Sequence, residues 1–284
     1  MTPSGSSAGL GLFAAATWGG SDFVGGVGAR RSPALLVVAA GHIVSFLILV
    51  ALCLALRSSL PGTRSLALAA LGGFEGSLAL AVFYRALAMG AMGLTAALTG
   101  LITALLPVLF SLFHDGLPSR LTALGLATGC VAIWLITHAP AAKDATVSTP
   151  PAALLLGALA GLGFGSQLIL FRFAGIGAGV LWPMTAARAA GAAAVVLVIL
   201  FFPPQGAWKG FWLTGIAAGA LDTIGNLFYI RATQLGRMDV AAVICSMYPA
   251  GTILLATLVL REWPTRRQMA GMALALAAVA MLSI

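Results

Sequence analysis

Several stretches of this chain hold no Asp, Glu, Lys or Arg for the length of a membrane crossing, five of them being 32–56, 86–114, 121–142, 145–171 and 240–260. A helix of about 20 mostly apolar residues crosses roughly 30 Å of hydrocarbon. A single soluble core has no room to bury all five at once, so these runs dictate a polytopic membrane protein. Charged residues make up 8% of the 284, against about 25% in a soluble domain. The runs are continuously apolar, with no period-two alternation, which selects an all-α integral membrane fold over a barrel.

Small polar and charged clusters divide the chain into ten expected transmembrane helices at 8–28, 33–56, 66–88, 92–113, 119–138, 152–173, 178–202, 210–232, 238–260 and 265–284. One real linker, "APAAKDATVSTPP" at 139–151, lies near the midpoint. Shifting the sequence by 145–147 residues aligns features in the same order. "RALAMG" at 85–90 meets "RATQLG" at 231–236, and "GSD" at 20–22 meets "GSQ" at 165–167. His42 meets Arg188, Asp115 meets Glu262, and Glu75 falls within one position of Asp222. The expected organisation is two five-helix repeats, 1–138 and 152–284, around a central cavity. An odd number of spans per repeat inverts the second in the bilayer, an arrangement transporters use to place a site near the midplane.

The net charge of +8 does not point to nucleic acid. Basic residues occur singly or in pairs at segment ends, as membrane-flanking residues do, and form no cluster that would neutralise phosphates. With the N-terminus cytoplasmic, that side would hold Arg57, Arg64, Arg120, Arg172, Arg231 and Arg237. The opposite side would hold Arg30, Arg31, Arg85, Lys143, Lys209, Arg261, Arg266 and Arg267, so flanking charge does not orient the chain. Cys53, Cys130 and Cys245 all sit in apolar segments and read as free, packed thiols. No Lys or Arg precedes Arg30, so the first segment lacks the basic region of a cleaved signal peptide and is expected to stay.

Charge at mid-membrane costs roughly 2.5–3.5 kcal/mol per side chain and should face the bundle interior or water. The residues to explain are Asp22 within "WGGSDFVGG", His42, Glu75, Arg188 and Asp222. Trp18 and Asp22 share one helix face, as do Asp222, Asn226 and Tyr229. Thr95, Thr99 and Thr103 form a hydroxyl stripe, and Phe164, Gln167 and Phe171 an aromatic and amide one. Together with Tyr248 these faces would make a mixed wall for an amphipathic solute. Two simpler readings stand beside this. Membrane Ser and Thr often bond only their own i−4 carbonyl. His42 and Arg188 could instead form a buried charge network with the three carboxylates, whose loss would unfold the protein. A carboxylate reached by water from one side at a time could also carry protons.

"FYRALAMG" at 83–90, "FYIRATQLG" at 228–236 and "YPAGTILLATLVLREWPTRRQMAG" at 248–271 resemble the EamA type of the drug/metabolite transporter superfamily. Arg261 stands where that family usually has Gly. In the first half Pro107 is out of register with Pro249, which aligns with Thr103. The resemblance implies metabolite export across a bacterial inner membrane with both termini cytoplasmic, amino acids being prominent substrates. The expected function is a secondary transporter working by alternating access, expected as a monomer, with a small-molecule substrate, the lipid bilayer as its other partner, and no cofactor or metal. A carrier of cationic drugs or nucleotide sugars is the alternative. No Walker A loop, HExxH, GxSxG or potassium-filter motif supports an ATP-driven pump, an enzyme or a selective channel.

Overall fold

The computed structural model describes residues 3–89, 92–137, 150–206, 210–260 and 265–282. These residues form eleven helices and no strand. They are α1 (Pro3–Ala29), α2 (Ala34–Ala55), α3 (Thr63–Met89), α4 (Met92–His114), α5 (Arg120–Thr137), α6 (Pro151–Ala174), α7 (Leu181–Phe201), α8 (Phe211–Leu235), α9 (Met238–Cys245), α10 (Tyr248–Leu260) and α11 (Arg266–Leu282). Residues 139–149 of the expected linker lie outside the described residues, as do His138, Trp208, Lys209 and the stretch 261–264 with Glu262.

Prolines and glycines set several ends. Pro33 and Pro150 precede α2 and α6, where a missing N–H costs nothing. Gly210 turns into α8 with φ 78°, a left-handed conformation that glycine adopts without strain. The expected single helix over 238–260 is instead two, α9 and α10, parted at Ser246 and Met247. Pro249 is the reason. It offers no N–H, and in a continuous helix its ring would collide with the Cys245 carbonyl four residues back.

Among the described residues, six stretches are long and apolar enough to cross a bilayer: Ala34–Ala55, Thr63–Met89, Pro151–Ala174, Leu181–Phe201, Phe211–Leu235 and Met238–Val259, the last spanning the break. The outer surface agrees with this. Leu47, Leu54, Phe113, Leu200, Phe201 and Leu258 are exposed, whereas Ser21, Ser45, Ser77, Thr223 and Asn226 are buried. Apolar outside and polar inside is the reverse of a water-soluble bundle, and lipid is the solvent that stabilises it. The chain is a multi-pass membrane protein.

The main packing pairs are α1 with α8, α3 with α6, α5 with α11, α3 with α7, α4 with α6, and α2 with both α7 and α8. Helix α1 also packs on α9 and α10. Bare backbone makes several of these contacts. A Cβ added to Gly41 of α2 would lie 2.7 Å from the Gly215 carbonyl oxygen and 2.9 Å from the Gly219 Cα of α8. Helices without a hydrophobic force between them associate by such close packing. Leucine at Gly41 is therefore expected to destabilise the fold by about 1–3 kcal/mol, read as a lower melting temperature in detergent. Alanine at Gly62, where an added Cβ meets nothing within 4 Å, is expected to leave that temperature unchanged.

Candidate substrate cavity

Most of the sequence-selected polar residues meet at one place. A cavity of about 30 Å³ is lined by Trp18 and Asp22 of α1, Leu80 of α3, Thr103 of α4, Phe164, Gln167 and Leu168 of α6, Asp222 and Asn226 of α8, and Tyr248 of α10. At about 10–15 Å³ per water this holds two or three molecules, so the pocket is shut around its own side chains. Leu80 and Leu168 carried no signal in the sequence, because an apolar residue in an apolar helix looks the same whether it faces lipid, core or cavity. Thr103 was visible only as the end of the hydroxyl stripe.

The remaining candidates lie outside this lining, and all but Thr95 have an identifiable occupation. Thr99 bonds the Thr95 and Gly157 carbonyls, both at 2.9 Å, pinning α4 to α6. The buried Thr95 hydroxyl has no partner among the described residues. Tyr229 donates to the Leu168 carbonyl at 3.0 Å and backs the Trp18 ring from 6.1 Å. Glu75 is half-buried between α3 and α6 and accepts a bond from Ser166 at 2.6 Å.

The two cavity aspartates differ in kind. Asp222 is paired: Arg188 Nη2 donates to its Oδ2 at 2.6 Å, and Asn226 Nδ2 reaches its Oδ1 at 3.1 Å. Arg188 Nη1 also lies 3.3 Å from His42 Nδ1, while His42 Nε2 lies 2.6 Å from Ser77 Oγ. Ser77 gives its own proton to the Gly73 carbonyl. The imidazole must then donate from Nε2 and accept at Nδ1, which is the neutral tautomer. One relay thus joins α8, α7, α2 and α3 through Asp222, Arg188, His42 and Ser77. Asp22 is 94% buried yet no ion pair among the described residues reaches it. Two further polar atoms of the lining, Trp18 Nε1 and Asn226 Oδ1, are buried without a hydrogen-bond partner among those residues.

Edge-on aromatic contacts bound the pocket on one side. Tyr248 packs on Trp18 at 6.5 Å and on Phe83 at 6.4 Å, and Phe83 packs on Phe164 at 5.7 Å. Beyond them, where α1 and α3 end and α2 begins, a larger cavity of about 580 Å³ opens. The opposite end of the bundle is closed. Every residue of α9 is buried there. Arg237 pairs with Asp239 at 2.8 Å and reaches the Gly116 carbonyl of the loop between α4 and α5. Its hydrogen bonds to Asp239 hold Arg237 above its usual value. Burial pushes the neighbouring Asp115 carboxyl up, but hydrogen bonds from Ser111 and His114, with the charges of His114 and Arg237, outweigh this and hold it below the ordinary carboxylate range.

Two outcomes follow for stability. Arg188→Met leaves Asp222 buried and uncompensated, so it is expected to cost about 3–5 kcal/mol, whereas Arg188→Met with Asp222→Leu recovers most of that loss; thermal melts of the single and double variants check this. A depressed carboxylate contributes stability that is present above its unfolded pKa, about 3.9, and is lost as pH falls through its folded value. Asp115→Asn is therefore expected to cost about 0.2–1 kcal/mol at neutral pH, as a partly solvated pair does. It should also remove part of the wild-type decline below about pH 4, read by melting temperature across acid pH.

Comparison with known proteins adds a likeness of fold and a match to a family over part of the chain. No curated protein matches the chain. A solved structure described only as "Crystal structure of protein" superposes with a TM-score of 0.74, covering 98% of this chain and 98% of the other at 20% identity. At that identity the likeness concerns the fold. Residues 151–284 match the EamA-like transporter family. That match, over just under half of the chain, is to a family of membrane transporters of the drug/metabolite superfamily.

Proposed function

We propose that the protein is a secondary transporter that exports small amphipathic metabolites, amino acids foremost, across a bacterial inner membrane by alternating access, with both termini cytoplasmic. The observation that carries this reading is the set of unmatched polar groups around the small cavity. Asn226 Oδ1 is a buried acceptor and the Trp18 indole N–H a buried donor with no partner among the described residues, and Asp22 beside them has no ion pair among those residues. A buried polar group without a partner costs about 1–3 kcal/mol, so such a site favours a solute that supplies both an ammonium and a carboxylate. Phe164, Leu80, Leu168 and the Tyr248 ring offer apolar contact for the rest of it.

In this reading the ten crossings form two inverted repeats, 1–138 and 152–284, joined at 139–151. The helix pairing supports the symmetry. Exchanging α1 with α6, α2 with α7, α3 with α8, α4 with the α9–α10 pair and α5 with α11 turns the α1–α8 contact into α6–α3. It turns α4–α6 into the contacts of α1 with α9 and α10, and leaves α2–α7 and α5–α11 on themselves. His42 and Arg188, matched in the repeat, touch each other, as equivalent residues do beside a two-fold axis. With the termini cytoplasmic, the closed α9 end faces the cytoplasm and the open far cavity the opposite side, the half of an export cycle in which the aromatic contacts part to release solute.

Asp22 is the group placed to meet a substrate ammonium or a proton. Its replacement by Asn should lower saturable flux of labelled amino acids in proteoliposomes by roughly tenfold or more, the value of a hydrogen bond to a charged group. Absence of saturable flux across a broad amino-acid panel sinks the substrate claim. Flux of an aromatic amine equal to that of its amino acid would favour the cationic-drug reading instead. Running each assay with and without a pH gradient decides whether protons are coupled.

A further inference from the structure

The larger cavity, of about 580 Å³, shares no lining residue with the central one. Its walls hold Arg30 and Arg31, just past the end of α1, and Arg85 near the end of α3. Among the described residues no carboxylate lines it, and none of these three arginines forms an ion pair. Leu35, Val82 and Leu156 supply apolar wall. The first turn of α2 also borders the cavity with no side chain capping it, which adds the positive end of a helix dipole.

Basic residues that merely flank membrane helices face headgroups one at a time. Here three arginines line one concavity whose volume lies in the range of about 300–1,000 Å³ typical of ligand pockets. Arginine presents a planar fork that binds carboxylate or phosphate oxygens in pairs, and a cleft lined by one sign of charge concentrates counter-ions. The charge is also one-sided. At 146 residues further on, Arg30 and Arg31 meet Ile176 and Gly177. Arg85 meets Arg231, which is engaged by Gln234 at 3.0 Å.

We propose that this vestibule is an anion-binding site that takes an amphipathic monoanion, with its carboxylate or phosphate on Arg30, Arg31 and Arg85 and its apolar body against Leu35, Val82 and Leu156. A soluble organic acid and an acidic lipid headgroup share that chemistry. The site does not depend on what the central cavity carries, and its test reads binding, so a failed flux assay leaves it standing.

The probe is 2-naphthoate, titrated calorimetrically into the full chain in phosphatidylcholine nanodiscs, with empty discs as blank and neutral 2-naphthamide as control. Saturable naphthoate binding is expected, weakening as salt rises, with no matching binding of the amide. The combined Arg30→Gln, Arg31→Gln and Arg85→Gln variant, at exposed positions and with its melting temperature checked, should bind roughly tenfold or more weakly, as loss of charge-assisted hydrogen bonds requires. Equal binding of acid and amide, unchanged affinity in the triple variant, or no saturable binding overturns the proposal. Repeating the titration in discs containing phosphatidylglycerol separates the sources: naphthoate displaced there identifies a lipid headgroup as the competing anion, and naphthoate retained identifies a soluble one, each through the same three arginines.

Discussion

The Arg188–Asp222 ion pair, at 2.6 Å inside the helix bundle, is the contact on which much of the interior depends. Both charges lie largely away from bulk water, their side chains 5% and 14% exposed, so each is tolerable only while the other is held in place. The pair ties α7 to α8. His42 carries the tie to α2 and Ser77 carries it to α3, ending on a backbone carbonyl. A single misplaced helix would strand a charge in low dielectric, so the relay specifies how four helices register as well as holding them together.

That relay also accounts for the asymmetry of the cavity. Asp222 spends its charge on Arg188, while Asp22, across the same pocket, has no such partner among the described residues. One carboxylate therefore belongs to the scaffold and the other faces the void. Close backbone packing permits this arrangement. With Gly41 against Gly215 and Gly219, α2 approaches α8 closely enough for the short side chain of Ser45 to reach the Gly219 carbonyl at 3.1 Å. On α1, Ser21 likewise bonds the Ala218 carbonyl of α8 at 2.9 Å. Polar groups along these helices are thus consumed in holding the bundle, and the few left over collect at its centre.

Much of the fold was legible in the sequence because the hydrocarbon phase imposes a simple rule. Charge-free runs of sufficient length become helices, and their ends fall at polar clusters, as α2, α4 and α6 do within a residue or two of expectation. The exception is the run at 238–260. Hydropathy reads it as continuous, yet Pro249 divides it, because hydropathy does not register a missing N–H or a ring colliding with a carbonyl. The candidate site was legible in part. Trp18, Asp22, Phe164, Gln167, Asp222, Asn226 and Tyr248 share one cavity. Thr95, Thr99, Tyr229 and Glu75 were selected on the same grounds and line none of it. Helical spacing tells which residues share a face of one helix, but not which neighbour that face meets.

The sequence by itself determined that this is an all-helical, multi-pass membrane protein, because bilayer thickness and the cost of unpaired backbone in lipid leave a chain of such composition few alternatives. It also determined which few polar residues had to find a reason for lying within the membrane. Only the tertiary structure decided how those residues divide: Arg188 with Asp222, Glu75 with Ser166, Thr99 with Gly157, and Asp22 with no ion pair among the described residues. It alone brought Arg30, Arg31 and Arg85 together around one vestibule. Such pairings depend on which helices are neighbours and at what rotation, and those are set by the packing of glycines and small side chains across contacts far apart in the chain.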